Sequence, residues 1–366
     1  MSVARRVRRR LTIWVKPLER AGRWCLQHLL AWLLSVAPRA LALPPRPRIL
    51  VVRLDRRIGN LLLLSPFLRS LQATYPAARI TLLCHRDMAP VLSHLPMIAE
   101  QEHYVKWKLF SRAGALAMLA RLRRQHFDLV FDAGSFFGSA VTHPIITCLS
   151  GARFRVGPSR PPLERIYHFA VPTLAENAHD IDQRLQLLQA VPQPVRVREM
   201  IYATAPTLLS LAAEHRGFVS LAAPRGLAQT VVIVVGGRVA ERQLPPQAWA
   251  EVARALVQRG FAVTLLWGPN EQPQAERIAA LAEVTMAPAS TLDQAAVLFR
   301  NAVAVIGHDT GTSHLAVAAG GRLFVAFVAT DPRRYGHTTN GSGFVDLRDE
   351  AEPTAALLAA LAAWLA

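Results

Sequence analysis

Six consecutive residues, Asp309, Thr310, Gly311, Thr312, Ser313 and His314, close an apolar run at 302–307 and open into a second run at 315–319. That order predicts a strand, a tight turn and the start of a helix. At such a turn the backbone N–H groups of residues 310–313 have no intrahelical partner, and the positive end of the helix dipole points to the same spot. This is chemistry for an anion, and the small side chains allow a diphosphate to come close. Asp, Ser and Thr are also common helix caps, so a plain capped turn is the competing reading of the same residues.

The turn needs a scaffold, and the chain supplies alternating elements on either side of it. Arg48–Arg53 reads as a buried strand, 54–60 as a turn, 61–75 as a helix and 79–84 as a second strand. Strand, helix, strand in that order means a parallel sheet with a right-handed crossover. A strand at 129–131 and a helix at 181–188 continue the series. Between 191 and 229 the pattern weakens and prolines accumulate, which marks a domain boundary. A second series follows, with strands at 230–235, 262–267, 302–306 and 324–327, and helices at 246–259, 274–282 and 292–299. An Ala/Leu-rich helix at 353–366 ends the chain. The expected fold is α/β: two Rossmann-like, doubly wound parallel-sheet domains facing a cleft, with ligands bound in that cleft. The expected division is 1–47 for a basic arm and Pro-rich linker, 48–200 for the N-terminal domain and 201–366 for the C-terminal domain.

With 366 residues, 52% apolar and 18% charged, the chain has enough material for two cores and no composition of wholesale disorder. Cys25, Cys84 and Cys148 are scattered, with no CxxC pair, which argues against a disulfide framework or a zinc site and suits a reducing cytosol. The net charge of +17 is concentrated at one end: the first 48 residues hold eleven Lys/Arg against the single acidic Glu19. In this arm the apolar residues Val3, Val7, Leu11, Trp14, Leu18, Ala21, Cys25, Leu29, Trp32 and Val36 recur every three or four positions. That spacing predicts an amphipathic helix, or two helices broken near Pro17. Basic residues beside Trp and Leu make residues 1–36 a candidate contact with an anionic membrane surface. A helix packed on the protein itself is the main alternative. A secretory signal is disfavoured by Gln27 and His28 in its apolar stretch, and a membrane span by the shortness of 24–37.

Several segments, taken in order, resemble family 9 glycosyltransferases, the heptosyltransferases of lipopolysaccharide core synthesis. They are the loop from Arg53 through Leu54, Asp55, Arg56, Arg57, Ile58 and Gly59 to Asn60, with Ser65-Pro66 and Tyr75-Pro76 after it; the segments 127–132 and 151–157; the loop 265–271; and Asp309 to His314 followed by Thr330, Asp331 and Pro332. No one of these is specific, whereas their order and spacing together are. The resemblance covers the chain from about Arg48 onward. It implies a GT-B fold, an ADP-type sugar donor such as ADP-heptose bound by the C-terminal domain, and a lipid-linked glycan acceptor bound by the N-terminal domain. It also implies inversion at the sugar carbon with no metal or other cofactor.

On this resemblance Arg242 stands where a family lysine meets the phosphates, and Arg238 assists. Gly236 and Gly237 let the backbone approach the donor, Gly268 and Glu271 belong to a loop whose Glu accepts hydrogen bonds from ribose hydroxyls, and Asp309 to His314 take the diphosphate. For Glu271 a helix cap or solvated charge is the bland alternative; for His314 it is a satisfied core-edge histidine. Trp267 reads as strand-end packing. The departure from the family is Asn60, where many members carry the aspartate proposed as general base. Asparagine cannot take a proton at neutral pH, which leaves three readings open: Asp55 supplies the base, with pairing to Arg56 or Arg57 as its bland alternative; Asn60 orients the acceptor while donor phosphate or water takes the proton; or the chain binds both ligands and catalyses weakly.

The leading expectation is therefore a glycosyltransferase on the cytoplasmic side, peripheral on the inner face of the cytoplasmic membrane. A catalytically degenerate sugar-nucleotide-binding or scaffold protein is the alternative that Asn60 supports. No GxGxxG follows the first strand, which argues against a dinucleotide oxidoreductase. The confinement of charge to one arm with few interleaved aromatics argues against nucleic acid as a partner.

Overall fold

In a computed structural model the described residues are 21–22, 24–105, 112–138, 140–203, 212–237 and 243–366. Twelve strands among them build two parallel sheets. The first contains β1 (Arg48–Arg53), β2 (Arg79–His85), β3 (Ile98–Tyr104), β4 (Leu129–Asp132), β5 (Phe154–Pro158) and β6 (Phe169–Val171) in the order β3-β2-β1-β4-β5-β6. The second contains β7 (Thr230–Val234), β8 (Ala262–Leu266), β9 (Thr285–Met286), β10 (Ala304–His308), β11 (Leu323–Phe327) and β12 (Gly343–Asp346) in the order β12-β11-β10-β7-β8-β9. Counted within each half, both orders are 3-2-1-4-5-6, the doubly wound arrangement, and together they form the GT-B fold. Its strand order reverses between β1 and β4 and again between β7 and β10, and a crevice opens there at the carboxyl ends of the strands.

The central strands are short continuous apolar runs because helices cover both faces of each sheet. Residues 49–52 of β1 and all of β7 and β10 are buried. One apolar cluster runs through both domains, including Leu61, Leu64 and Phe67 on one side and Phe299, Leu315 and Ala318 on the other. The stretch between the domains touches both: Ile201 N–H donates to Ser65 Oγ at 3.1 Å and Tyr202 N–H to Ala318 O at 2.8 Å.

Where the structure differs from the sequence expectation, the reason is local. The single helix expected at 61–75 is two helices, Ile58–Leu62 and Ser65–Thr74, so Asn60 lies in a helical turn rather than in the preceding loop. Pro66 has no N–H for the Leu62 carbonyl and breaks the first helix, and Ser65 Oγ donates to that carbonyl at 2.7 Å instead. The helix expected at 181–188 is Asp180–Leu185 followed by a 3₁₀ segment, Gln186–Ala190. β10 starts two residues later than expected, because Ala302 caps the helix Leu292–Asn301, and it runs on to His308. Of the strands that escaped the sequence reading, β3, β6, β9 and β12 form the sheet edges, where burial on both faces is lost and the apolar signal with it; β5 is interior but short, and Arg155, Gly157 and Pro158 break its apolar run.

The N-terminal arm is described in part. The stripe from Val3 to Leu18 and the break at Pro17 lie outside the described residues, as do Arg238 and Arg242. Residues 24–33 are helical, with Ala31 turned inward and Cys25, Leu29 and Trp32 turned to solvent, so along this helix the apolar stripe expected from the spacing is not packed on the protein. Among the described residues no helix is long and apolar enough to cross a membrane.

Candidate active site

The N-terminal half of the site grows out of the ends of β1 and β4. Arg53 terminates the apolar run of β1 and is 1% exposed. A buried guanidinium needs acceptors and counter-charges. Nη1 of Arg53 donates to the carbonyls of Ala133 and, at 3.2 Å, Gly134, and Nε lies 2.7 Å from Asp55 Oδ2, close but not aligned for a hydrogen bond. Arg184 donates to the same Gly134 carbonyl and holds both oxygens of Asp180 at 3.1 and 3.2 Å. Two arginines thus pin the loop after β4. Burial, and then the neighbouring Arg184, lower Arg53 to about 10, which leaves it cationic at neutral pH. Asp132, at the end of β4, is fully buried; it accepts from Tyr167 OH at 2.6 Å and from Gly134 N–H at 2.9 Å.

Asp55 stands at the mouth of this network with its side chain 33% exposed. Its partners are Arg53 and Asn60, not Arg56 or Arg57 as expected; Arg56 pairs with Asp87 instead, at 2.7 Å. Burial pushes the Asp55 carboxyl up, but Arg53, His143, Arg184 and the hydrogen bond from the Asn60 side chain together hold it below the usual carboxylate range. His143 Nε2 accepts from Leu54 N–H at 3.1 Å, and burial keeps that ring neutral by lowering its pKa.

The C-terminal half is built on the end of β10. Thr310 is the N-cap of the eight-residue helix Gly311–Ala318. Its Oγ1 accepts from Ser313 N–H at 3.4 Å, so of the four N–H groups expected to face an anion that of Ser313 is engaged in capping. The Ser313 hydroxyl donates to His308 O and ties the helix to the strand. Gly311 and Thr312 supply the first-turn N–H groups. His308 is 1% exposed, accepts from Leu244 N–H at 2.8 Å through Nε2 and packs edge-on against Trp249. Burial drives it down to about 4, against an opposing contact with the Gly236 backbone.

His314 is buried among partners of its own, as its bland alternative required. Nδ1 lies 2.8 Å from His337 Nε2, and Nε2 lies 3.6 Å from Asp309 Oδ1. Burial lowers both rings, His337 to about 2, with the neighbouring His314, His179 and Arg198 pushing the latter the same way. His179, from the N-terminal domain, reaches Gly336 O at 2.9 Å, so this histidine cluster bridges the domains.

Gly236 takes φ +84°, and a Cβ there would overlap Glu271 Cγ. A Cβ on Gly268 would stand 2.5 Å from Glu271 Oε2. The close approach that these two glycines allow in the structure is therefore that of the Glu271 side chain. Glu271 occupies the N-cap position of Gln272–Ala282 without a side-chain capping bond, so its carboxylate remains at the crevice. The Gly237 carbonyl accepts from Gln243 at 2.6 Å, and Trp267 Nε1 donates to Ala287 O at 2.8 Å in a packed position.

The two halves meet at glycines. A Cβ on Gly311 would lie 3.0 Å from Gly59 N, and one on Gly59 would lie 2.5 Å from His314 Cδ2. The turn carrying Asn60 and the turn carrying Thr310 to His314 are in contact across the cleft. Sequence reading had not singled out Arg53, Asp132, His143, Asp180, Arg184, His308 or His337 as site residues. The legible signal was a charged or imidazole residue closing an apolar run, as in Arg53, Asp132 and His308. Among the described residues no group of three or more His, Cys, Asp or Glu is gathered as metal ligands.

Comparison with known proteins gives a match between residues 115–357 and the sequence model of glycosyltransferase family 9 (heptosyltransferase). Lipopolysaccharide heptosyltransferase 1 of Escherichia coli (strain K12) is 22% identical over 297 residues, 78% of this chain and 89% of that protein. The Pseudomonas aeruginosa protein of the same name is 29% identical over 216 residues, 58% of this chain and 57% of its own length. Among solved structures, a family 9 glycosyl transferase from Veillonella parvula superposes with a TM-score of 0.70 at 18% identity, covering 88% of this chain and 93% of that one. An E. coli heptosyltransferase with ADP-2-deoxy-2-fluoro heptose superposes with a TM-score of 0.68 at 18% identity, covering 86% and 99%.

Proposed function

The chain belongs to glycosyltransferase family 9, and from that premise we propose that it moves heptose, or a related sugar, from an ADP-sugar to a lipopolysaccharide core or other lipid-linked glycan. The reaction proposed is an inverting single displacement without a metal. On this reading the enzyme works at the cytoplasmic face of the cytoplasmic membrane, where a nucleotide sugar and a lipid-linked acceptor meet. The observation that carries it is the contact between the Gly59 and Gly311 turns, which supports reading the turn that follows Asp55 and the helix N-terminus at Gly311 as the acceptor and donor sides of one site. The E. coli structure that shares the fold carries an ADP-heptose analogue, which supports the choice of donor.

In the displacement the acceptor hydroxyl oxygen bonds to the anomeric carbon of the sugar as the bond from that carbon to the diphosphate breaks. The hydroxyl proton passes to Asp55, whose carboxylate is ionised at neutral pH. Asn60, which cannot accept the proton, donates its amide to Asp55 and orients it. The departing ADP is stabilised by the N–H groups of Gly311 and Thr312 and by the Thr310 hydroxyl, aimed where negative charge develops. Arg242 and Arg238 add charge at the phosphates, Asp309 and Ser313 hold the turn, and His314 backs it. Glu271 accepts from the ribose hydroxyls beside Gly236, Gly237 and Gly268.

The test is ADP release from ADP-heptose with a panel of truncated lipopolysaccharide acceptors. Asp55→Asn is expected to lower kcat by about 10²–10⁴-fold while donor affinity is retained. Because that change also strips a counter-charge from buried Arg53, a double variant, Asp55→Asn with Asn60→Asp, is measured beside it and should recover turnover. Full activity in Asp55→Asn removes Asp55 as the base. Donor binding without turnover on every acceptor refutes the transfer reaction and favours a binding role.

A further inference from the structure

The helix at 24–33 turns its apolar side away from the protein. Trp24 is 59% exposed, Leu29 50%, Trp32 74% and Leu33 58%, whereas Ala31, just past the edge of that face beside Trp24, is 3% exposed. At 3.6 residues per turn the four exposed side chains fall within about half of the helix circumference. A helix face of this kind, rich in Trp and Leu, is unstable in water without something to cover it.

Just after the helix, the chain is anchored to the N-terminal domain, with Val36 N–H donating to Arg165 O at 2.9 Å. Beside that anchor lies an open trough of about 640 Å³, walled by Val36, Pro38, Phe169, Val171 and Pro172 along the edge strand β6. Arg39 and Arg165 stand exposed at its rim. The exposed helix face and the trough are thus joined by a few residues of extended chain and flanked by cations.

We propose that the outward face of this helix and the adjoining trough dock on an anionic lipid bilayer, with Trp24 and Trp32 at the headgroup level and Leu29 and Leu33 below it. Charge decides the occupant. The first 48 residues carry eleven Lys/Arg and one acidic residue, which attracts an anionic surface and repels a second copy of the same arm. Tryptophan and leucine on one helix face, in a stretch of sequence rich in Arg, match the depth profile of a bilayer interface. This docking does not depend on the transfer reaction proposed above.

The experiment is co-sedimentation of the full chain with two vesicle types, phosphatidylcholine alone and equal parts phosphatidylcholine and phosphatidylglycerol. Binding to the anionic vesicles, weakened by salt, is expected. The double variant Trp24→Glu and Trp32→Glu should lower it by about tenfold or more, with thermal stability and ADP binding unchanged because both residues are exposed. Equal binding by wild type and variant, or equal binding to neutral and anionic vesicles, overturns the proposal. So does a concentration-dependent dimer that binds no vesicles and that the double variant dissociates, which would assign the face to a second copy.

Discussion

Replacing Gly59 by alanine adds one methyl at the point where the two domains touch. The new Cβ would lie 2.5 Å from His314 Cδ2 and 3.3 Å from Gly311 Cα. Carbon atoms in contact prefer about 3.5–4.0 Å, so something must move by about 1 Å. His314 has little freedom to do so, being buried with Nδ1 2.8 Å from His337 Nε2. Overpacking of this kind costs about 1–3 kcal/mol. Alanine returns up to about 1 kcal/mol through its better helix propensity in the turn Ile58–Leu62. The net loss of stability is therefore modest, about 0–3 kcal/mol. The loss in rate is larger, because a shift of about 1 Å between donor and acceptor turns can cost about 100-fold. The assay is initial-rate ADP release at saturating ADP-heptose, with ADP affinity by calorimetry and Tm alongside. Gly217→Ala is the control, since a Cβ there meets nothing within 4 Å. Wild-type turnover in Gly59→Ala would refute the claim that the glycine contact sets the reacting geometry.

Stability should fall on acidification, and His308 supplies the sign. Its folded pKa, about 4, lies below the ordinary histidine value of 6.5, so the unfolded chain binds a proton first. The loss begins as pH falls through 6.5, is complete near 4, and at pH 5 amounts to about 2 kcal/mol from this group at about 1.4 kcal/mol per unit. Denaturant melts at neutral pH and at pH 5 should show it, and in His308→Gln the drop should shrink; an unchanged drop assigns it to other groups. Glu271→Gln should weaken ADP binding by about tenfold or more, the worth of a charged hydrogen bond, with no change in Tm. Gly236→Ala should do the same and also destabilise the fold, since it forces φ +84° on a residue with a Cβ and pushes Glu271 from its seat. Equal ADP affinity in both variants would remove Glu271 from the donor site.

The interior strands other than β5, and most helices, could be read from the chain alone, because their signals are local. The apolar runs that become β1, β7 and β10 are buried on both faces, so burial and sequence say the same thing. The Asp309 to His314 turn was legible for the same reason, since strand end, cap and helix start are neighbours in sequence. Edge strands such as β3 and β12 were not, because a strand covered on one side keeps polar residues and loses its pattern. The parallel sense of both sheets follows from chain alternation, whereas their strand order comes from the structure.

What the sequence could not determine is which charges meet. Asp55 was read against its chain neighbours Arg56 and Arg57, yet its counter-charge is Arg53, held in place by carbonyls about 80 residues further on. Arg184 and Asp180 join the same network from a helix of their own, and His337 reaches His314 from beyond β11. Such pairs have no spacing rule, because they are selected by the desolvation cost of leaving a buried charge unpaired once the sheets have formed. The sequence by itself determined the two doubly wound domains and the capped strand-to-helix turn at 309–314, which depend on periodicity and on contacts within a few residues. Only the tertiary structure decided that Asp55 pairs with Arg53, and that Gly59 and Gly311 bring the turn Ile58–Leu62 against the turn at Thr310, since a contact across a cleft leaves no mark in local sequence.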